Sequence, residues 1–348
     1  MGAPREAWGA RSPGRSAVKL MRVGVIFPGQ GSQVVGMGVD VARAYPDAMA
    51  CFAAAKTLLG YDVLSLCEHG PQERLTETRY AQPAIFVANV ALAKAVGEGL
   101  RPVVSAGHSF GEYCSLTLAG ALTFETALTL VNERGLAMNR AAAQANGAMA
   151  AVLGLAPDAL RAAVAQAVER GAGRVQLANF NAPGQIVISG DAEGVRFAGE
   201  LAMEAGAKRV VPLNVSGAWH SVLMDPARAE FAPHVAAATF FPPAFSVISN
   251  VDAQPYGDDV ERIKANLVRS VTDEVLWHDT ALAMVAMQLD LIVEFGASAV
   301  LAPMFKRIEG APKAITVSDA AAVEKLRAQL TESSCPAPPL SQPELVEG

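Results

Sequence analysis

Hydrophobic and polar positions along this chain follow two periods. Residues 22–27 form a continuous apolar run that fits a buried first strand. Helical periodicity follows at 46–59 and 82–100, and a polar stretch at 73–80 is expected to separate the two. A second buried strand is expected at 103–106, a helix at 112–118 and a long helix at 123–145. The order strand, helices, strand, helix predicts an α/β core with a parallel sheet.

The texture changes at Ala148. Residues 149–155 are strand-like, 157–170 helical, 175–179 and 185–189 strand-like around Asn181-Ala182-Pro183-Gly184, 192–205 helical, and 208–215 strand-like. That β-α-β-β-α-β order predicts an inserted ferredoxin-like small subdomain over 147–215. The core is therefore expected in two pieces, 21–146 and 216–330. Its second piece carries helices at 226–238, 258–271, 277–288, 300–307 and 320–330, with strands at 245–249, 291–295 and 314–317. Residues 1–20, rich in Arg, Gly, Pro and Ala, are expected to be a flexible extension, and the proline-rich residues 331–348 a disordered tail.

The second strand runs into Gly107-His108-Ser109-Phe110-Gly111. A strand that reverses this sharply into a helix needs room at both glycines and pushes the serine hydroxyl outward at the helix N-terminus. Free N–H groups there favour a nearby oxyanion. An ordinary strand-to-helix turn containing a serine has the same five residues. The first strand likewise enters Pro28-Gly29-Gln30-Gly31-Ser32-Gln33, a turn whose glycines can aim N–H groups at one point. It lacks the lysine-serine/threonine ending of a nucleotide phosphate loop.

A serine needs a base, and the chain offers five histidines. His108 flanks the serine with its side chain sent the other way, and His69, His234 and His278 lie in or beside helical runs. His220 stands where the chain returns from the insert to the core, either as the base or as a structural histidine. On the helix expected at 123–145, the apolar stripe Ala127, Leu130, Val131, Ala137, Met138, Ala141 contains Arg134. A guanidinium there requires an internal carboxylate or an acidic ligand, because a buried unpaired charge costs about 3–5 kcal/mol.

Composition narrows the class. With 51% hydrophobic and 18% charged residues the chain is expected to be globular, and its net charge of −6 argues against a nucleic-acid binder. No apolar run approaches the roughly 18 residues of a membrane span. Cys51, Cys67, Cys114 and Cys335 show no zinc-site spacing, so no metal is expected and a reducing cytoplasm is. A monomer is expected, since no interface signature is legible.

Four stretches occur together: Phe27-Pro28-Gly29-Gln30-Gly31-Ser32-Gln33, Gly107-His108-Ser109-Phe110-Gly111-Glu112-Tyr113, Asn179-Phe180-Asn181-Ala182-Pro183-Gly184-Gln185 and Gly217-Ala218-Trp219-His220. In that combination and order the chain resembles the malonyl-CoA:acyl-carrier-protein transacylases of fatty-acid synthesis and the related acyltransferase domains of polyketide synthases. The resemblance covers about residues 23–330 and implies an α/β-hydrolase-like core with a ferredoxin-like insert. It implies Ser109 as the acylated nucleophile and His220 as its base, with an oxyanion hole formed by the Gln30 and Phe110 N–H groups. Arg134 would hold the malonyl carboxylate. Ping-pong transfer is implied, from malonyl-CoA as substrate to the phosphopantetheine thiol of an acyl carrier protein, with no cofactor bound by the enzyme itself. Where many members have glutamine and proline, this chain has Ser270 and Glu274; the Ser270 main-chain carbonyl is expected to orient His220. The bulk of Trp219 and Phe110 is expected to favour malonyl over methylmalonyl. The nearest rival is a serine esterase of the α/β-hydrolase class with Asp191 as its acid, and a third possibility is a non-catalytic subunit that docks a carrier protein.

Overall fold

A computed structural model describes residues 21–332. Among the described residues nine strands form two sheets: β1 (Val23–Phe27), β2 (Pro102–Gly107), β3 (Gly147–Leu153), β4 (Val175–Ala182), β5 (Gln185–Asp191), β6 (Arg209–Pro212), β7 (Ser246–Ile248), β8 (Leu291–Phe295) and β9 (Lys313–Val317). The larger sheet has the order β7-β2-β1-β8-β9, with every neighbouring pair parallel. All five residues of β1 and of β8 are buried, as expected for central strands of a sheet covered on both faces. The smaller sheet is antiparallel, in the order β4-β5-β3-β6. The helices Pro157–Glu169 and Ala192–Glu204 bury Leu160, Val164, Val195 and Leu201 in a separate apolar core with the strands of this sheet.

The main core is dominated by the helix Thr78–Val96, buried along nearly its whole length, and by the helix Phe124–Ala143. Thr123 caps the latter, its hydroxyl accepting from the Thr126 N–H at 3.1 Å. The polar stretch 73–80 does not separate two helices as expected. It holds a short helix, Gln72–Thr76, and the first turn of Thr78–Val96. The helix expected at 300–307 is one turn, Ala302–Phe305; its N-terminal N–H groups from Val300 to Ala302 donate to the buried Glu294 carboxylate of β8. Short helices at Val39–Ala44 and Val63–His69 carried no recognised periodicity. The helix Ala320–Glu332 takes in the first two residues assigned to the tail. The extension 1–20, the rest of the tail and Cys335 lie outside the described residues.

Main chain ties the smaller sheet to the loop that precedes the helix Trp277–Ala286 of the core. Beyond its pairing with β5, β4 bridges to Val275: Phe180 N–H donates to Val275 O at 2.9 Å, and Val275 N–H donates to Ala178 O at 2.8 Å. Among the described residues no single helix is long and apolar enough to cross a membrane.

Candidate active site

The site lies at the carboxyl ends of β7, β2 and β1, three adjacent strands, where open α/β sheets present their ligand crevices. Leaving β2, the chain turns within three residues into the helix Gly111–Leu118. A Cβ on Gly107 would stand 1.9 Å from the Gly111 carbonyl carbon, and one on Gly111 would stand 2.4 Å from Phe27 O, so only glycine permits this turn. Ser109 at its apex has φ 53°, in the left-handed region, which costs a non-glycine residue on the order of 1–3 kcal/mol. Asn250, just past β7, holds that conformation. Its Oδ1 accepts from the Ser109 N–H at 3.0 Å while its Nδ2 donates to Ser109 O at 3.2 Å. Asn250 is in turn fixed by the buried carboxylate of Glu112, to which Tyr256 also donates.

Ser109 Oγ lies 2.9 Å from His220 Nε2 and accepts from Arg134 Nη2 at 3.2 Å. Because the arginine occupies a lone pair, the hydroxyl proton points at His220, whose Nε2 must be the bare nitrogen. Its Nδ1–H then donates to the Asp273 main-chain carbonyl at 3.2 Å. The main chain of Ser270, expected as the orienting group, also favours a protonated ring, while the hydrogen bond at Nδ1 goes to Asp273. His220 is itself left-handed, φ 56°, and buried. Burial, the Arg134 charge and His108 push its pKa down to about 3, so the imidazole is neutral and free to take a proton.

Arg134 is 1% exposed. It makes no ion pair among the described residues: Nη1 donates to Gln82 Oε1 at 2.9 Å, Nη2 goes to Ser109, and the buried Nε has no partner. No carboxylate stands within ion-pair distance of it among the described residues; the buried Glu112 acts on it only through space. The Gly29 turn presses on the serine turn, since a Cβ on Gly29 would sit 2.7 Å from His108 O and 3.6 Å from Ser109 Cβ. The main-chain N–H groups of Gln30 and Phe110 have no acceptor among the described residues, whereas that of Ser109 is taken by Asn250. Gln30 Nε2 donates to Thr78 Oγ1 at 3.0 Å, beside a cavity of about 270 Å³ lined by Gln30, Glu77, Asn139 and Ser216. Trp219 is buried, its ring occupying the space that a Cβ on Gly217 would need, and it does not line that cavity.

A family model described as the acyl transferase domain matches residues 25–334. The chain belongs to this family. This acyltransferase is 40% identical over 306 residues to the malonyl CoA-acyl carrier protein transacylase of Bacillus subtilis, covering 88% of this chain and 96% of the relative. A crystal structure of an acyl carrier protein S-malonyltransferase from Vibrio cholerae superposes with a TM-score of 0.84 at 40% identity, over 88% of this chain and 99% of that one. A malonyl-transacylase in complex with its holo acyl-carrier protein from a type II polyketide synthase gives 0.84 at 36% identity, over 88% and 99%.

The acyltransferase thus brings together Ser109, His220, Arg134 and the turns of Gln30 and Phe110. His108 does point away from Ser109: its Nε2 lies 2.9 Å from Asn181 Oδ1 and its ring packs near Trp277. Asp191, the esterase rival's acid, is bound by Arg174 at 3.1 Å, while the imidazole's Nδ1 faces a carbonyl. Asn250, Gln82, Asp273 and Gln176 were not anticipated. A signal existed for Asn250 alone: like Gln30 and Ser109, it follows the carboxyl end of a core strand.

Proposed function

We propose that the chain moves a malonyl group from malonyl-CoA to the phosphopantetheine thiol of an acyl carrier protein through a malonyl ester on Ser109. The observation that carries this is a buried guanidinium that touches the nucleophile and lacks a carboxylate partner among the described residues. A malonyl carboxylate supplies that partner and, through the planar fork, fixes the thioester carbonyl over Ser109 Oγ. His220 Nε2 takes the hydroxyl proton as Oγ bonds to the carbonyl carbon. The oxyanion is held by the Gln30 and Phe110 N–H groups, and collapse expels the CoA sulfur, which receives the proton from His220. The carrier thiol then gives its proton to the same nitrogen, attacks the ester and returns Ser109 as the hydroxyl. A bound carboxylate also offsets the Arg134 charge that depresses His220, raising the basicity of the imidazole when it must act.

The order β4-β5-β3-β6 over a β-α-β-β-α-β chain supports a ferredoxin-like subdomain at 147–215, and the serine elbow supports an α/β-hydrolase-like core at 21–146 and 216–330. The bulk of Phe110, next to Ser109, supports malonyl over methylmalonyl, and the buried free thiols of Cys51, Cys67 and Cys114 fit a reducing cytoplasm. We take the enzyme to act as a monomer.

Intact mass after brief exposure to equal malonyl-, methylmalonyl- and acetyl-CoA tests the reading. A malonyl adduct is expected that Ser109→Ala abolishes, that survives in buffer and that leaves on addition of holo carrier protein. Arg134→Ala is expected to lose malonyl transfer by at least about 100-fold and to gain acetyl transfer. An Arg134→Ala protein that still preferred malonyl would overturn the carboxylate assignment.

A further inference from the structure

The base and the carbonyls that orient it sit on two different loops, and nothing on either loop alone fixes their separation. His220 lies on the loop returning from β6, and Asp273 lies on the loop after the helix Val260–Arg269. The second loop carries Ser270 and Glu274 at the two positions that depart from the family pattern. Gln176, on β4 of the antiparallel sheet, spans the gap with a single side chain. Its Nε2 donates to His220 O at 3.2 Å and to Thr272 O at 3.2 Å, and its Oε1 accepts from the Val222 N–H at 3.0 Å. All three amide bonds run to main chain, and the donors and acceptors admit only one orientation of the amide. The carbonyl of His220 is thereby held against the residue next to Asp273.

From these contacts we infer that Gln176 is a positioning residue for the reaction: it sets the distance from His220 Nδ1 to the Asp273 carbonyl and so aims Nε2 at Ser109. β4 is well suited to this task, because the Val275 bridge fixes it to the same loop a few residues on. Asn181 at its other end reaches His108 beside the nucleophile. One strand of the smaller sheet thus braces both halves of the serine–histidine pair. The inference rests on His220 being the base, as proposed above. Gln176 is half-buried and borders a polar cavity of about 560 Å³, so its truncation opens no apolar void in the core.

The test is single-turnover acylation by malonyl-CoA, followed by intact mass, in Gln176→Ala, Gln176→Glu and His220→Ala proteins. Gln176→Ala is expected to slow acylation roughly tenfold, with KM for malonyl-CoA within about twofold and the melting temperature within about 2 °C. Gln176→Glu keeps the shape and the acceptor for Val222 but loses both donors, so it is expected to be at least as slow. If shape alone mattered, Gln176→Glu would restore the rate, and that result overturns the inference. A Gln176→Ala protein at the wild-type rate, or one whose loss simply tracks a lowered melting temperature, overturns it as well. His220→Ala separates the two levels: if it still acylates, the base assignment fails, whereas an inactive His220→Ala beside a fully active Gln176→Ala sinks only the positioning role.

Discussion

Two buried titratable residues beside the nucleophile shift in ways that make opposite contributions to stability. His220 has its pKa pushed down to about 3, so between about 3 and its ordinary value near 6.5 the unfolded chain binds a proton that the folded chain refuses. Its contribution is present above that window and is lost as pH falls through it. Burial pushes Glu112 up to about 7, and its donors Tyr256 and Asn250 pull it only part of the way back. Between its ordinary value near 4.5 and about 7 the folded state holds the extra proton, so this contribution is lost as pH rises. Glu112→Gln mimics the protonated carboxyl: the amide oxygen can accept from Asn250 while its NH₂ faces the Tyr256 oxygen. Relative to wild type, the variant is expected to gain on the order of 1–3 kcal/mol between pH 4.5 and 8. Urea midpoints of both proteins at those two pH values check this, and parallel pH slopes would show that Glu112 does not hold a proton near neutrality. At this scale the sequence was legible where charge broke a pattern: Arg134 stands out in an apolar stripe. Gln176 carries no charge and interrupts no periodicity, and its role depends on which loops the fold brings beside it, whereas Asn250 is marked only by its place just after a core strand.

Among the elements, the serine turn is the least tolerant. The space at Gly107 is filled by main-chain atoms of Gly111 and Glu112, which cannot move aside as a side chain can. Gly107→Ala is therefore expected to cost on the order of 3 kcal/mol or more and to displace Ser109. Circular dichroism melts together with the acylation rate of whatever folded protein remains would check it, and an active variant of wild-type stability would mean that β2 and the following helix can separate. This turn, the nine strands and the long helices were legible, because glycine spacing and apolar periodicity are imposed by local geometry. The stretch 73–80 was misread because polarity marks exposure as readily as a break. Tyr80 is flanked by the guanidinium groups of Arg74 and Arg79, 4.7 and 4.6 Å from its ring, and these polar side chains clothe helical turns in contact with solvent. The single turn Ala302–Phe305 depends on the Glu294 carboxylate meeting its N-terminal N–H groups, a tertiary contact with no periodicity to betray it.

Across the whole molecule, Ser109 belongs to the parallel sheet, whereas the loop of His220 is contacted from the antiparallel one by Gln176, so the proposed serine–histidine chemistry requires the two sheets to behave as one body. The helix-side face of the antiparallel sheet has its own apolar core, but Met149, Ala178 and Val187 on its other face belong to the main core, so apolar packing already joins the two sheets. Three polar links reinforce that joint: the Val275 bridge, His108 with Asn181, and Gln176 with the loops of His220 and Asp273. The exposed Arg161–Glu274 ion pair spans the same seam, but at 51% and 30% side-chain exposure it adds little. If the main-chain bridge is what couples the sheets, the amides of Phe180 and Val275 open only when a core unfolds. Their hydrogen-exchange protection is then expected to fall within about tenfold of that of Val25 in the centre of the parallel sheet. Exchange of these two amides at the rate of an exposed loop, with Val25 still protected, would mean that the sheets part in the native state. The serine–histidine distance would then have to be set anew at each turnover, and substitutions at Gln176 would raise the frequency of that parting.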